Sequence, residues 1–79
     1  MLCAMGTNKK SPRARELLAQ NVVRLRADRK ITQERLGEMA DLHPTYISAI
    51  ENGRRNASLD SIERLAIALQ IPIADLLSE

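Results

Sequence analysis

Residues 32–53, TQERLGEMADLHPTYISAIENG, decide the fold of this 79-residue chain. Thr32 carries a hydroxyl that can cap a helix N-terminus, and Leu36 and Ala40 lie four residues apart, which predicts a short helix ending near Ala40. Pro44 disfavours the helical backbone conformation in the residue before it, and it suits the first position of a helix. The stretch is therefore expected to form two short helices joined by a turn of about three residues.

The second short helix should run from Pro44 to Asn52, where Gly53 closes it in the left-handed conformation. Its inner face is apolar, and Gly37 in the preceding helix fits a close approach between the two helices. Its outer face carries side chains small enough to approach base edges: Thr45, Ser48 and Ala49. Such a pair describes a helix-turn-helix, although its spacing also fits a generic helical hairpin.

Three further helices complete the prediction. Residues 13–29 repeat apolar side chains at helical intervals, another helix begins at a Ser58 cap, and a last short helix covers residues 73–77. The apolar stripe of the fourth helix consists of Leu59, Ile62, Leu65, Ala66 and Leu69. No segment favours a strand, so the expected fold class is all-α with five helices.

Domain organisation is simple in so short a chain. Residues 1–11 show no periodicity, carry Lys9 and Lys10, and are expected to form a flexible basic arm. Residues 12–79 would form one domain, because a chain of this length can hold a single small core.

The scarcity of reactive side chains argues against an enzyme. The chain has one Cys, one His, one aromatic residue and three glycines. One Cys cannot form an intramolecular disulfide, and with a single His no Cys and His set can complete a zinc site. A catalytic pair would have to use His43, and no glycine-rich phosphate loop is present. We therefore expect no metal, no cofactor and no catalysis.

Hydropathy and charge bear on location and partners. No run of residues approaches the roughly 18 apolar positions of a membrane span, and the apolar residues 1–6 are too short for a signal peptide, so a cytoplasmic protein without a membrane partner is expected. Residues 1–40 hold nine Lys and Arg against four Asp and Glu, whereas residues 41–79 hold three against six. The basic half fits a phosphate-facing surface, and a solvated face would explain it as well.

The order of these motifs resembles one known family. Residues 32–40 (TQERLGEMA), 46–59 (YISAIENGRRNASL) and 62–69 (IERLAIAL) are similar to the helix-turn-helix family of lambda/Cro repressors and XRE-type regulators. Within it, the string that begins at Thr45 is similar to the small controller proteins of restriction–modification systems. The resemblance implies a five-helix, lambda-repressor-like domain that binds double-stranded DNA as a two-fold dimer, with its third helix in the major groove.

Carried over by position, the resemblance also implies roles for individual residues. The base-facing positions are Pro44, Thr45, Ser48 and Ala49. The positions at the DNA backbone or groove are Gln33, His43, Tyr46, Asn52, Arg54 and Arg55. Arg26 and Glu51 would form a partly buried ion pair that sets the angle between the first and third helices. For His43 a simple helix cap stays open, and for Tyr46 a purely structural role.

Two positions depart from the family pattern. Pro44 stands where a base-reading side chain is frequent, and it offers no donor. Asp41 stands where glycine is usual in the turn, so it must adopt a less favourable left-handed conformation. Since the outer face has no bidentate reader, we expect much of the specificity to come from Arg54 or Arg55 and from DNA shape.

Three apolar residues near the C-terminus are not part of the predicted core: Ile67, Ile73 and Leu77. Their grouping suggests a dimer interface. The expected function is a sequence-specific transcriptional regulator that acts as a homodimer on a palindromic operator, as a controller-type or similar small autoregulator. Two alternatives stay open. In the first, the patch binds a protein partner such as a toxin, as in an antitoxin, or RNA polymerase. In the second, the chain is a protein-interaction module that binds no DNA.

Overall fold

The computed structural model describes residues 13–79, which form five helices. These are α1 (Ala14–Arg29), α2 (Gln33–Ala40), α3 (Pro44–Glu51), α4 (Leu59–Leu69) and α5 (Ile73–Leu76). No strand occurs in this part of the chain. The all-α, five-helix prediction is confirmed, with helix ends close to those expected. The predicted basic arm, residues 1–11, lies outside the described residues.

Capping side chains define three of the helix starts. The Thr32 hydroxyl accepts a hydrogen bond from the Arg35 N–H at 2.9 Å, and the Ser58 hydroxyl accepts one from the Ser61 N–H at 3.1 Å. His43 Nδ1 accepts from the Thr45 N–H at 3.1 Å. Each cap satisfies an N–H that a helix leaves without a partner in its first turn, so the start signals in the sequence act locally.

A single apolar core joins the five helices. α1 packs on α3 and α5, α2 packs on α3 and α4, and α4 also packs on α5. The largest fully buried side chains come from every helix: Val22, Leu36, Ile47, Ile50, Leu65, Leu69 and Leu76. Since α3 is held by its two isoleucines on one face, its opposite face is turned away from the core.

Leu59 is a correction to the predicted core. Its side chain is 77% exposed, whereas the other four members of the predicted α4 stripe are buried. Leu59 is the first residue of α4, and helical side chains point toward the N-terminus, so it extends beyond the first turn where the core ends. Helical periodicity placed Leu59 on the correct face of α4, but it could not show where the neighbouring helices stop packing against that face.

The C-terminal segment is fastened to α1 by a buried amide. Asn21 Nδ2 donates to the backbone oxygens of Leu76 and Ser78, both at 2.9 Å. Asn21 lies among apolar side chains on α1 and was not singled out from the sequence. Its two bonds fix α5 and the residues after it, because a buried amide that loses its partners is costly. No helix among the described residues is both long and apolar enough to cross a membrane.

Candidate nucleic-acid interface

The turn between α2 and α3 requires glycine at its base. The Leu42 N–H donates to the Gly37 oxygen at 2.9 Å. A Cβ atom on Gly37 would lie 2.5 Å from the Leu42 oxygen, closer than real Cβ atoms come to backbone. The close approach predicted at Gly37 is confirmed, and its nearest neighbour is the backbone of the turn.

Asp41 adopts the left-handed conformation expected of it, with φ +59°. Arg64 Nη1, on α4, donates to the Asp41 backbone oxygen at 3.2 Å and to its carboxylate at 3.4 Å. The turn is therefore attached to α4 as well as to α2. Gly53, at the other end of α3, has the predicted positive φ of +71°.

α3 presents the predicted base-facing residues on the face opposite Ile47 and Ile50. Thr45 is exposed, and Pro44, Ser48 and Ala49 are partly exposed. A shallow depression of about 300 Å³ is lined by Thr45, Ser48, Ala49, Asn52, Arg54 and Arg55. We call Thr45, Ser48 and Ala49 the outer face of α3. The structure thus brings this face together with three of the predicted backbone or groove residues.

The remaining predicted residues lie in two further depressions beside α3. One, also of about 300 Å³, is lined by His43, Thr45, Tyr46, Ala49 and Arg55. The other, of about 340 Å³, is lined by Arg26, Thr32, Gln33, Glu34 and Pro44. Gln33 therefore lies near the start of α3, and Asn52 lies at its end.

Arg55 stacks on Tyr46, a contact that was not predicted. The Arg55 guanidinium carbon lies 5.1 Å from the centre of the Tyr46 ring, within the range of a cation–π contact. The ring itself is partly buried and packs against the core. The sequence held one signal for this contact: Gly53 ends α3, so the chain can reverse and bring residue 55 back beside residue 46.

His43 acts as the N-cap of α3, one of the two roles considered for it. Because Nδ1 accepts the Thr45 N–H, the proton of a neutral His43 ring lies on Nε2, which faces away from the capped backbone. A cap of this kind needs the ring to be neutral, since a protonated imidazole has no acceptor.

Arg26 and Glu51 form a two-pronged ion pair between α1 and α3. Arg26 Nε donates to Glu51 Oε2 at 2.7 Å, and Arg26 Nη2 donates to Oε1 at 3.0 Å. The side chains are 23% and 7% exposed. Hydrogen bonding to Glu51 raises the pKa of Arg26, burial opposes this, and attraction to the Glu51 charge adds to the rise. The third guanidinium nitrogen donates to the Ile31 oxygen at 2.9 Å.

Gln33 belongs to the same network, which the sequence did not indicate. Its Nε2 donates to Glu51 Oε1 at 2.9 Å. The side chain predicted to face a phosphate is thus directed to the ion pair. The backbone N–H of Gln33 lies in the first turn of α2, where helix geometry leaves N–H groups without helical partners.

Charge does not divide between surfaces as it divides along the chain. The cations beside the outer face of α3 are Arg54 and Arg55, which belong to the acidic half of the sequence. Glu34 and Glu38, which belong to the basic half of the sequence, line a depression at the α2–α3 turn together with Asp41. The expectation that the basic half forms one phosphate-facing surface was therefore too simple.

The predicted dimer residues are all exposed, and one of them, Leu77, lines an apolar depression. Ile67, Ile73 and Leu77 are 68%, 42% and 37% exposed. Leu77 lines an apolar depression of about 220 Å³ together with Ala14, Arg15, Leu18, Asn56, Ala57, Leu59 and Ile62. Ile67 and Ile73 do not line it. Leu59, predicted to be in the core, is thus a neighbour of Leu77 at the surface.

Comparison with known proteins gives these features a family context. A family profile described as helix-turn-helix matches residues 23–76. The control protein C.BamHI of Bacillus amyloliquefaciens is 47% identical over 64 residues, which are 80% of this chain and 79% of the relative. The control protein C.SmaI of Serratia marcescens is 39% identical over 64 residues, which are 81% of this chain and 76% of the relative.

Two solved structures agree with the fold. The hypothetical transcription factor NHTF from Neisseria superimposes with a TM-score of 0.79 at 37% identity, over 82% of this chain and 75% of that one. The restriction–modification controller protein C.AhdI from Aeromonas hydrophila has a TM-score of 0.74 at 35% identity, over 76% of this chain and 91% of that one. The resemblance found in the sequence is confirmed: the chain belongs to the helix-turn-helix family of DNA-binding transcriptional regulators, together with the restriction–modification controller proteins.

Proposed function

We propose that this regulator binds a palindromic operator in double-stranded DNA as a homodimer, with α3 in the major groove and residues 12–79 as the binding domain. Its targets would be restriction–modification genes, its own included. The observation that carries the proposal is that all ten predicted contact residues line three depressions beside α3 and the start of α2.

Direct reading of bases falls to the outer face of α3. Thr45 and Ser48 can hydrogen-bond several base edges, and Ala49 can contact a thymine methyl group. Pro44 has no donor and contributes shape only. Because these side chains are short, they let the helix approach the floor of the groove closely.

Phosphate contacts would lie at both ends of α3. At its start, the backbone N–H of Gln33 lies at the N-terminus of α2, where the helix dipole favours an anion. At its end, Asn52, Arg54 and Arg55 border the same depression as the outer face. Contacts of this kind fix the register of the protein on DNA, since they do not depend on sequence.

The ion pair between Arg26 and Glu51 would hold α3 at the angle the groove requires. Glu51 is the last residue of α3, and its carboxylate receives bonds from both α1 and α2. α3 is therefore fixed before DNA arrives, which lowers the ordering cost of binding.

The homodimer would use exposed apolar side chains near the C-terminus. Ile67, Ile73 and Leu77 stay the proposed interface, and Leu59 joins them because it shares an apolar depression with Leu77. A two-fold interface pairs the same patch on both copies, so an exposed leucine beside an apolar depression suits self-association. No catalytic step belongs to this function, and a regulator of bacterial transcription would act in the cytoplasm.

Selection from a pool of random duplexes tests the proposal. We expect the wild-type chain to enrich an inverted repeat whose half-sites are about one helical turn, ~34 Å, or a multiple of it apart. Recovery of an unpaired half-site would contradict the dimer, and no enrichment over the starting pool would contradict sequence-specific binding.

A matched pair of variants shows whether α3 is the part that binds. Ala49→Glu places a carboxylate on the outer face of α3, whereas Ala27→Glu makes the same change on the exposed side of α1. The first should abolish binding to the selected duplex through repulsion of phosphates, and the second should leave it within about twofold of wild type. Equal losses would argue against α3 as the binding helix.

A further inference from the structure

The stacked pair of Tyr46 and Arg55 distinguishes two neighbouring arginines. Arg54 and Arg55 both border the depression that contains Ser48 and Asn52. Arg55 also borders the second depression, on the His43 side of α3, where the Tyr46 ring lies beneath its guanidinium. Arg55 therefore borders both depressions and contacts a side chain of α3, whereas Arg54 borders one of them.

The Tyr46 ring beneath Arg55 is held in place by the core. Tyr46 is half-buried on α3 and packs against the core, so its position follows that of the helix. A guanidinium plane stacks on an aromatic face, while its edge keeps its N–H donors free for a second partner. A long, exposed side chain that is already ordered loses less conformational entropy when it binds.

We propose that Tyr46 is a positioning residue that holds the Arg55 guanidinium over the outer face of α3, and that Arg55, not Arg54, reads a guanine in the operator. The inference rests on the proposed DNA binding by α3. The outer face itself has no side chain with two donors in a fork, the arrangement that recognises the O6 and N7 atoms of guanine. Arg55 supplies it, and Arg54 contacts a phosphate.

The contact can be tested first without DNA. Tyr46 is the one Phe, Trp or Tyr of the chain, and comparison with Tyr46→Leu separates its ring-current shift from that of the nearby His43 imidazole. In the proton NMR spectrum of the whole chain, we expect the δ-methylene protons of Arg55 to be shifted upfield relative to those of Arg54, and the shift to vanish in Tyr46→Leu. Equal shifts for the two arginines in the wild-type chain would overturn the proposal.

Binding measurements then separate the arginines. The probes are a duplex selected by the wild-type chain and a duplex of the same composition with its sequence scrambled. Arg55→Ala should weaken binding to the selected duplex by about 5- to 150-fold, with little change on the scrambled one. Arg54→Ala should weaken binding to both equally and lower the slope of log affinity against log salt by about one. The reverse pattern would assign the reading role to Arg54.

A double-mutant cycle tests whether Tyr46 acts through Arg55. Tyr46→Leu should weaken binding to the selected duplex about two- to fivefold, the value of an exposed cation–π contact, and Tyr46→Phe should restore it. In the Arg55→Ala background, Tyr46→Leu should have no further effect. Additive losses would show that Tyr46 acts independently of Arg55, and failure of Tyr46→Phe to restore binding would show that its hydroxyl group contacts DNA.

Separate control experiments test whether each variant folds and whether the proposed function holds. Thermal unfolding of each variant shows whether the fold is intact, and Arg55→Lys gives a second test at an exposed position: it keeps the charge, loses the fork, and should lose the preference for the selected duplex. If the wild-type chain selects no duplex, the proposed function fails. If it selects one and the cycle is additive, the inference about Tyr46 alone fails.

Discussion

Glu51 and Arg26 meet through two parallel hydrogen bonds, at 2.7 and 3.0 Å, that join the end of α3 to α1. The two partners are unequally buried, with Glu51 almost sealed from solvent. Loss of Arg26 leaves a buried carboxylate with the amide of Gln33 as donor, whereas loss of Glu51 leaves a guanidinium that still bonds the Ile31 oxygen. The two single substitutions should therefore differ in cost.

We expect Arg26→Ala to lower the free energy of unfolding by about 3–5 kcal/mol, and Glu51→Ala to lower it by less. Urea unfolding followed by far-UV circular dichroism measures both. Arg35→Ala is the control, because Arg35 and Glu38 form an exposed ion pair worth about 0–1 kcal/mol. An equal or smaller loss for Arg26→Ala than for the control would contradict a buried pair.

The raised pKa of Arg26 also predicts how the free energy of unfolding depends on pH. A group whose pKa is raised on folding adds stability that is fully present below its unfolded pKa and is lost as the pH rises through the folded pKa. Both values for an arginine lie far above neutral pH. The stability difference between wild type and Arg26→Ala should thus stay flat from neutral pH to about pH 10. A steady decline over that range, measured by urea unfolding, would contradict the assignment.

The two glycines that flank the outer face should respond differently to alanine. In Gly37→Ala, the new methyl group meets the backbone oxygen of Leu42 at 2.5 Å, so the turn must shift, at about 1–3 kcal/mol or more. At Gly53, a Cβ meets nothing within 4 Å, and the cost is that of a left-handed alanine, about 1–2 kcal/mol. Thermal unfolding compares them, and affinity for the selected duplex should fall further in Gly37→Ala, because its turn sets the position of α3.

Asp41→Gly should stabilise the protein. Asp41 has φ +59°, a conformation that glycine adopts without strain, and its carboxylate lies at the C-terminal end of α2, where the helix dipole disfavours negative charge. The ion pair with Arg64 that would be lost is exposed and weak. We expect a gain of about 0.5–1 kcal/mol in the free energy of unfolding. Arg64→Ala removes the ion pair together with the hydrogen bond to the Asp41 backbone oxygen, so its loss sets an upper limit on the value of the pair. A free energy of unfolding lower in Asp41→Gly than in wild type would contradict the expectation.

The proposed interface predicts that Leu59 and Leu77 both contribute to assembly. Leu59→Asp and Leu77→Asp place a charge beside the same apolar depression, and both should shift the chain toward monomer in sedimentation velocity at micromolar concentration. Val23→Asp is the comparison, since Val23 on α1 is 42% exposed, close to the 37% of Leu77, and does not line the depression. A dimer unchanged by both leucine substitutions would reject this patch, and one disrupted by Val23→Asp alone would move the interface to α1.

The helix-turn-helix was predictable because its signals act over a few residues. Thr32 caps the helix that follows it, Pro44 excludes helix before itself, and Gly53 takes a backbone conformation other residues avoid. None of these effects depends on what lies across the fold. The faces of α3 also followed from the sequence, because the helical period alone places Ile47 and Ile50 opposite the small residues.

Side-chain partners distant in sequence were less accessible. The bonds from Gln33 to Glu51 and from Asn21 to the C-terminal backbone depend on how helices cross, which composition and period do not encode. Leu59 shows a related limit, because a stripe of apolar residues continues in the sequence after the neighbouring helices have ended. The ion pair of Arg26 and Glu51 was named only through family resemblance.

The amide of Asn21 has a consequence for synthesis of the chain. Its partners lie 55 and 57 residues later, on the backbone of Leu76 and Ser78. Until those residues have been added, the part of α1 that packs on α5 is exposed, and the Asn21 amide lacks both of these backbone acceptors. We therefore expect a chain that stops before Leu76 to be less stable than the full chain and to be degraded more readily.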